Sequence, residues 1–310
     1  MGSDVQAAGR PLGTAGFARF RALVEESLPG FLSPEVCSIP PPLRDAMEYA
    51  LTSGGKRIRP VVLLSSGAAV GGEEEELLPF ACAVEYVHTY SLIHDDLPAM
   101  DDDDFRRGRP ACHKAFGEAE AILAGDALLT EAFRVMGESP LAGKDPAKAV
   151  RATALLARAA GASGMAGGQM MDLRPPAGKG SGEEDAAAIE EIDLRKTAAL
   201  LSASAAMGGV LGGGTDKQVE CLSRYGRALG LLFQITDDIL DETGSFEEMG
   251  KAVAKDRARG KLTYPAARGM EAAVARAESL RREALFSLSS FGGEAEILRD
   301  IVLIVATRRS

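Results

Sequence analysis

Two aspartate clusters, each joined to a strongly apolar segment, restrict what this chain can fold into more than any other feature. The stretch "LIHDDLPAMDDDDFRRGRP" (92–110) holds six aspartates, and "FQITDDILDETG" (233–244) holds three more. Burying a carboxylate is strongly unfavourable unless a cation compensates its charge. The sequence therefore favours a fold in which both clusters face one internal cavity that binds cations.

The apolar periodicity is helical along almost the whole chain, and no convincing alternating strand is present. Hydrophobic residues make up 46% of the chain but aromatic residues only 5%, which favours closely packed helices. The pattern predicts helices over residues 16–28, 42–52, 60–70, 73–96, 122–137, 146–160, 165–172, 186–207, 215–243, 263–286 and 293–307. We therefore expect residues 1–310 to form a single all-α domain, a helical bundle around a central cavity. Residues 1–15 are typical of a flexible tail, and the charged, glycine-flanked segment 247–260 is typical of a mobile loop.

Composition excludes several classes of protein. The net charge of -10 argues against a nucleic acid as the main partner. The N-terminus has no basic region followed by an apolar run, so it is not a signal peptide, and 198–215 is too rich in Gly, Ser and Ala for a membrane span. Cys37, Cys82, Cys112 and Cys221 form no CxxC pair, which indicates buried free thiols in a reducing compartment. We expect a cytoplasmic protein.

The second aspartate cluster has the simpler geometry. Gln234, Asp237, Asp238 and Asp241 stand at i, i+3, i+4 and i+7, which places them on one face of a helix. The remaining directions are apolar, so the helix is predicted to be largely buried. An acidic stripe facing solvent is the alternative, and the apolar neighbours disfavour it.

The first cluster ends an apolar helix at Asp95 and Asp96. Pro98 interrupts the helix, so that Asp101 can fold back beside Asp95. His88 lies seven residues before Asp95, two helical turns away on the same face. The two clusters therefore offer carboxylates from two helices to one cavity.

All-oxygen ligation with room for water and substrate oxygens indicates Mg²⁺. Zinc bound through His88, His94 and His113 is a rival, but these residues lack a recognised ligand spacing. A calcium-binding protein is a second rival, and no EF-hand loop pattern occurs.

Basic groups lie close to the clusters in the sequence. "GGKRIRP" places Lys56 and Arg59 before a helix start, and "FRRGRP" adds Arg106 and Arg107 directly after the aspartates. Guanidinium groups bind diphosphate oxygens in a bidentate manner, and helix starts favour anions. Further candidates are Lys196, Lys251 and Lys261. Together with bound Mg²⁺, these groups predict a diphosphate substrate.

The chain resembles the trans-isoprenyl diphosphate synthases, of the bacterial farnesyl diphosphate synthase type. The resemblance rests on "GGKRIRP", "SLIHDDLPAMDDDDFRRGRP", "HKAFGEAEAILAGDAL", "GGQMMDL", "KTAALL", "FQITDDILD" and "KDRARGKLTYP", in that order. It implies the isoprenoid synthase helical bundle, a homodimer, and head-to-tail (1'-4) condensation of isopentenyl diphosphate with dimethylallyl or geranyl diphosphate.

The resemblance also implies roles for individual residues. Three Mg²⁺ per active site would be held by Asp95, Asp101 and Asp237, supported by Asp96, Asp238 and Asp241. Arg106, Lys196, Lys251 and Lys261 would bind the allylic diphosphate. Isopentenyl diphosphate would be bound by Lys56, Arg59, His88 and Arg107. Lys196, Thr197 and Gln234 would act at the reacting carbon, their oxygens stabilising the allylic cation.

Product length is the finest prediction. The growing chain is expected to run back along the helix that carries Asp95, so Tyr90 and Ser91 would form the floor of the cavity. A single aromatic at Tyr90 resembles the farnesyl-type enzymes, which predicts mainly a C15 product. A geranylgeranyl diphosphate synthase is the alternative within the family. A terpene cyclase is disfavoured by the basic residues for isopentenyl diphosphate, and a non-catalytic partner subunit is disfavoured because both aspartate motifs are present.

Overall fold

The computed structural model describes residues 15–174, 182–243 and 263–308, and nearly all of them are helical. The α-helices of this part of the chain are α1 Ala15–Ser27, α2 Pro41–Leu51, α3 Ile58–Ala68, α4 Glu74–Asp95, α5 Cys112–Phe116, α6 Glu118–Gly137, α7 Pro140–Lys144, α8 Pro146–Ala160, α9 Met165–Leu173, α10 Gly182–Asp193, α11 Ala199–Leu211, α12 Asp216–Thr243, α13 Tyr264–Arg268, α14 Met270–Ser287 and α15 Glu296–Thr307. A π-helical segment, Leu194–Ala198, joins α10 to α11, and 3₁₀ turns occupy Gly30–Leu32 and Gly293–Ala295. The all-α fold predicted from the sequence is confirmed.

The predicted helices differ from the observed ones mainly where a helix is divided. The helix predicted over 263–286 is two helices, because Gly269 adopts φ +85° between α13 and α14. The helix predicted over 186–207 contains the π-helical segment. The short helices α5 and α7 were not predicted, and α6 begins at Glu118, four residues before the predicted start. The predicted tail up to residue 14 and the predicted loop at 247–260 lie outside the described residues.

A two-residue hairpin was also missed. Phe105–Arg106 (β1) pairs antiparallel with Arg109–Pro110 (β2). The turn between them consists of Arg107 and Gly108, both with positive φ, as the tight turns of twisted hairpins require. Strands this short show no alternation in a sequence. The hairpin has a functional consequence, because it directs Arg106 and Arg107 to different neighbours.

The core is built around α4 and α11. α4 packs against α3 and α6, and α11 packs against α3, α8 and α12. α3 and α11 approach closely at Gly208, where an added Cβ would lie 2.2 Å from the carbonyl oxygen of Leu63. Helix α11, within the uncharged stretch 198–215, is thus closely packed inside the protein. Across the described residues, every helix is too short or too polar to cross a membrane.

The four cysteines are free thiols, as predicted. Cys82 and Cys112 are buried, whereas Cys37 and Cys221 are only partly buried. Burial raises the pKa of the Cys112 thiol to about 11, so this side chain behaves as a small apolar group.

Candidate active site

A cavity of about 650 Å³ lies where α4, α9, the π-helical segment and α12 meet. Its lining includes twelve of the predicted site residues: Arg59, His88, Tyr90, Ser91, Asp95, Asp101, Arg106, Arg107, Lys196, Thr197, Gln234 and Asp237. The two aspartate motifs therefore face one space, as the sequence predicted. Lys251 and Lys261 lie outside the described residues.

The first aspartate motif folds back on itself after α4. The Asp101 amide donates to the carbonyl oxygen of Asp95 at 2.8 Å, and the Asp103 amide donates to that of Asp96 at 3.3 Å. Asp102 adopts φ +49° to allow this return. Asp101 consequently lies beside Asp95 on the wall of the cavity.

Asp96 and Arg106 form a separate, partly buried pair. Asp96 is 2% exposed, and the Arg106 Nε contacts both of its carboxylate oxygens, at 3.0 and 3.1 Å. The hairpin holds Arg106 in this position. In the ligand-free protein Arg106 therefore anchors the aspartate loop, and its side chain reaches the cavity from that anchored position.

Asp95 and Asp237 are the two carboxylates most affected by burial in the cavity. Burial raises the pKa of Asp95 to about 6, and the Lys196 ammonium opposes the shift. Burial likewise raises the pKa of Asp237 to about 6, opposed by Arg308 and Lys56. Carboxylates that are buried in this way favour the binding of a cation, and carboxylate oxygens are suitable ligands for Mg²⁺.

The side chains that the structure describes do not supply a complete metal shell by themselves. Among the described residues, no three His, Cys, Asp or Glu side chains come close enough together to hold a metal ion. A Mg²⁺ ion at Asp95, Asp101 or Asp237 would complete its shell with water and substrate oxygens, as this ion commonly does. Two histidines of the zinc alternative contact other groups: His94 contacts the carbonyl oxygen of Ile122, and His88 contacts the guanidinium of Arg59.

The π-helical segment directs polar groups into the cavity. Lys196 lies on it and pairs with Asp172 of α9 at 2.6 Å. Thr197 Oγ1 donates to Gln234 Oε1 at 3.4 Å, and Gln234 Nε2 donates to Asp238 at 3.3 Å. π-Helical segments inside α-helices are frequent at functional sites, since they reorient side chains. The predicted catalytic residues are thus in contact with each other or with acidic partners.

The second aspartate motif is not uniformly buried. Asp237 lines the cavity, whereas Asp238 is turned toward α13 and accepts a hydrogen bond from the Tyr264 amide at 3.1 Å. Asp241, one turn farther along α12, is exposed. The expected burial of the whole motif was wrong for Asp241, which lies in the last turn of α12.

A second cavity, of about 490 Å³, adjoins the first and is strongly cationic. Its lining includes Lys56, Arg57, Arg59, Arg107 and Arg308, together with Glu85, His88 and Asp237. The predicted isopentenyl diphosphate residues Lys56, Arg59, His88 and Arg107 all line this cavity.

His88 is the neutral partner in this cluster. Arg59 Nη1 lies 3.1 Å from His88 Nε2. Burial and the Arg59 guanidinium hold the pKa of His88 well below its usual value, so the imidazole is uncharged. Arg107 donates to the Gly54 carbonyl oxygen and covers Gly55, where a Cβ would lie 2.6 Å from its guanidinium. Gly55 is therefore needed for Arg107 to reach this position.

Sequence reasoning missed three residues near these cavities. Arg57, with φ +49° and 4% exposure, pairs at 2.6 Å with Glu85, which is 1% exposed. The signal for Glu85 was a single acid within the apolar run "FACAVEYVH", three residues before His88. Arg308 pairs with Asp237 at 2.6 Å, and no local pattern indicated it.

Tyr90 and Ser91 lie on α4 as the model of chain growth requires. Tyr90 is half-buried on the cavity wall, and its ring meets His94 edge-on, with 5.7 Å between centroids. Ser91 donates to the His88 carbonyl oxygen at 2.8 Å. Apolar side chains of α9, including Met165, continue the wall.

Comparison with known proteins gives a consistent family. Residues 40–289 match the polyprenyl synthetase family. The heterodimeric geranylgeranyl pyrophosphate synthase large subunit 1 of Arabidopsis thaliana is 47% identical over 253 residues, which cover 81% of this chain and 68% of that protein.

Solved structures agree with this match. The FPP/GFPP synthase of Zymomonas mobilis superposes with a TM-score of 0.79 at 35% identity, covering 94% of this chain and 99% of the other. The geranylgeranyl pyrophosphate synthetase of Pyrococcus horikoshii superposes with a TM-score of 0.83 at 28% identity, covering 94% and 98%.

Proposed function

The chain belongs to the polyprenyl synthetase family and is a prenyltransferase that elongates prenyl chains, and from this premise we propose that it condenses isopentenyl diphosphate with allylic diphosphates to give mainly geranylgeranyl diphosphate, C20. The observation that supports the reaction is the pair of adjoining cavities, one with two carboxylate motifs and one with clustered cations. The C20 product is supported by the names of the most similar curated relatives, which are geranylgeranyl pyrophosphate synthases.

The first step is departure of diphosphate from the allylic substrate. Asp95, Asp101 and Asp237 would hold Mg²⁺, which neutralises charge on the leaving diphosphate. Lys196 lies on the same wall and adds a positive charge where the leaving group develops negative charge. Its pairing with Asp172 keeps the ammonium in place before substrate binds.

The allylic cation that remains must be stabilised without being attacked. Thr197 and Gln234 present oxygens to the same cavity, and their mutual hydrogen bond fixes their orientation. The apolar wall formed by residues such as Met165 and Leu173 limits the access of water to the cation.

The second substrate would occupy the cationic cavity. Lys56, Arg59 and Arg107 would bind the diphosphate of isopentenyl diphosphate, and neutral His88 can donate a further hydrogen bond. The alkene then adds to the allylic cation, and a proton leaves to the released diphosphate. A terpene cyclase would have no use for this second set of cations.

Farnesyl diphosphate, C15, is the second candidate for the main product, and Tyr90 favours it. The sequence predicted this product because an aromatic floor shortens the cavity, and Tyr90 does line the cavity wall. The names of the relatives favour the longer chain instead. The two candidates differ by one isoprene unit and share every other part of the mechanism.

Chromatography of the products tests both levels of the proposal. The protein is incubated with Mg²⁺, isopentenyl diphosphate and either dimethylallyl or geranyl diphosphate, and the dephosphorylated alcohols are separated by reverse phase. We expect mainly geranylgeraniol; mainly farnesol would establish the second candidate. Prenyl products formed without isopentenyl diphosphate, or no prenyl product at all, would overturn the condensation reaction.

A homodimer completes the proposal, because the sequence resemblance implies one. Light scattering on the purified protein measures the assembly, and a monomer would contradict the homodimer.

A further inference from the structure

The position of Arg308 is not explained by the reaction described above. Arg308 follows α15 with φ -61° and ψ 148°, and its side chain turns inward until only 8% of the residue is exposed. Its guanidinium lies over the ring of Phe233, 3.9 Å from the centroid, and pairs with Asp237 at 2.6 Å. A carboxylate expected to bind Mg²⁺ thus has an arginine as its partner in the ligand-free protein.

The guanidinium of Arg308 is only partly satisfied. Its Nη2 serves both Asp237 and the carbonyl oxygen of Phe233. Its Nε and Nη1 are buried and have no hydrogen-bond partner among the described residues. Most buried polar side-chain atoms in proteins are hydrogen-bonded, so two orphaned donors on one side chain point to a missing acceptor.

The surroundings of Arg308 identify the acceptor's chemistry. Arg308 lines the cationic cavity together with Lys56, Arg59 and Arg107. The acceptor that suits several guanidinium groups in one cavity is a diphosphate.

We propose that Arg308 is a substrate-binding residue that exchanges partners: it neutralises Asp237 in the ligand-free protein and moves to the second diphosphate once Asp237 takes a divalent cation. This inference rests on the proposed function, because it assumes that Asp237 binds Mg²⁺ and that the cationic cavity takes isopentenyl diphosphate. Asp237 leaves Arg308 for a divalent ion because Coulomb attraction increases with charge. Arg308 already forms part of the wall of the second cavity, so its guanidinium has only a short distance to cross.

The exchange couples the two substrate sites. Arg308 competes with the metal at Asp237, so it weakens binding at the first site. When Arg308 is released from Asp237, its guanidinium group adds hydrogen-bond donors to the second site. Filling the first site should therefore strengthen binding at the second, and Arg308 should be required for that coupling.

Isothermal titration with unreactive ligands tests the exchange without relying on turnover. The first probe is geranyl S-thiolodiphosphate with Mg²⁺, and the second is isopentenyl diphosphate added to protein already saturated with the first. The variants are Arg308→Gln, which removes the charge, and Arg308→Lys, which keeps it. The control is Arg282→Gln, on α14, which removes an exposed arginine that pairs with Glu278.

The exchange predicts opposite effects of Arg308→Gln on the two probes. The first probe should bind about threefold more tightly, because a competing cation is gone. Isopentenyl diphosphate should bind about tenfold more weakly, because a buried charged donor is lost. Arg308→Lys should change the affinity for the first probe less than Arg308→Gln does, and Arg282→Gln should change the affinity for neither probe. If Arg308→Gln weakens the binding of both probes, or changes the affinity for neither, the proposal is overturned.

A second variant keeps the test decisive if Arg308→Gln does not fold. Asp237→Asn removes the anion that holds Arg308, so isopentenyl diphosphate should bind the metal-free variant about threefold more tightly than the metal-free wild type. Unchanged or weaker binding would overturn the exchange. Product formation by the wild type is measured separately: without it the proposed function fails, and with it a failed titration result counts against the exchange alone.

Discussion

Asp95→Asn should make the metal-free protein more stable while it abolishes turnover. Burial raises the pKa of Asp95 from 3.8 to about 6. A shift of this size corresponds to an upper limit of about 3 kcal/mol. Partial exposure allows solvent to screen the charge, so we expect a gain of about 1–2 kcal/mol in the free energy of unfolding. For a chain of this length, that gain corresponds to roughly 2–3 °C in melting temperature.

The pH dependence identifies the cause of the stabilisation. The folded-state pKa of Asp95 lies above the unfolded value, so the folded wild type binds an extra proton between about pH 4 and pH 6 and loses stability as pH rises through that window. The advantage of Asp95→Asn should therefore be full above pH 6 and should vanish below pH 4.

Thermal melting without Mg²⁺, at pH 4 and pH 7.5, provides the measurement. The control is Asp216→Asn, where the aspartate side chain is 88% exposed and pairs with Arg151 on the surface. The control should leave the melting temperature nearly unchanged at both values of pH. An Asp95→Asn protein that is less stable than the wild type at pH 7.5, or equally stabilised at both values, would refute the reasoning.

Three further predictions concern the cavities. Arg59→Ala should weaken the binding of isopentenyl diphosphate by about tenfold, because Arg59 contacts His88 at the second cavity. The affinity for geranyl diphosphate should stay within about twofold of the wild-type value. Isothermal titration measures both, and equal losses of affinity would contradict separate sites. Tyr90→Ala should release products at least one isoprene unit longer than those of the wild type, as measured by reverse-phase separation of the alcohols. An unchanged product length would show that Tyr90 does not form the floor of the cavity. Glu85→Gln should cost about 3 kcal/mol in denaturant unfolding, because it removes the buried carboxylate that pairs with Arg57 at 2.6 Å. The double variant with Arg57→Gly, which suits the positive φ of that position, should recover part of the loss, and strictly additive losses would count against the pair.

The sequence predicted the parts of the structure that follow from local patterns. Helical periodicity located α4 and α12, and the expense of burying carboxylates predicted that Asp95 and Asp237 would share a cavity. The interruption at Pro98 predicted the return of Asp101 to Asp95, which the hydrogen bond between their backbones confirms. Each of these inferences needs only residues within a few turns of one another.

Features that depend on distant partners were not predictable in this way. Arg57 and Glu85 are 28 residues apart, and their pairing follows from the packing of α3 against α4. Asp238 turns away from the cavity because the start of α13 supplies an amide to it. Arg308 reaches Asp237 only because α15 packs along α12. Periodicity carries no information about such contacts.

We propose two diphosphate sites, one at the paired aspartate motifs and one among the clustered cations. Anomalous diffraction from crystals grown with Mn²⁺, geranyl S-thiolodiphosphate and isopentenyl diphosphate locates both directly. We predict Mn²⁺ at Asp95 and at Asp237, with the isopentenyl diphosphate bound to Arg59 and Arg107. Mn²⁺ away from both aspartates, or both diphosphates in one cavity, would contradict the claim.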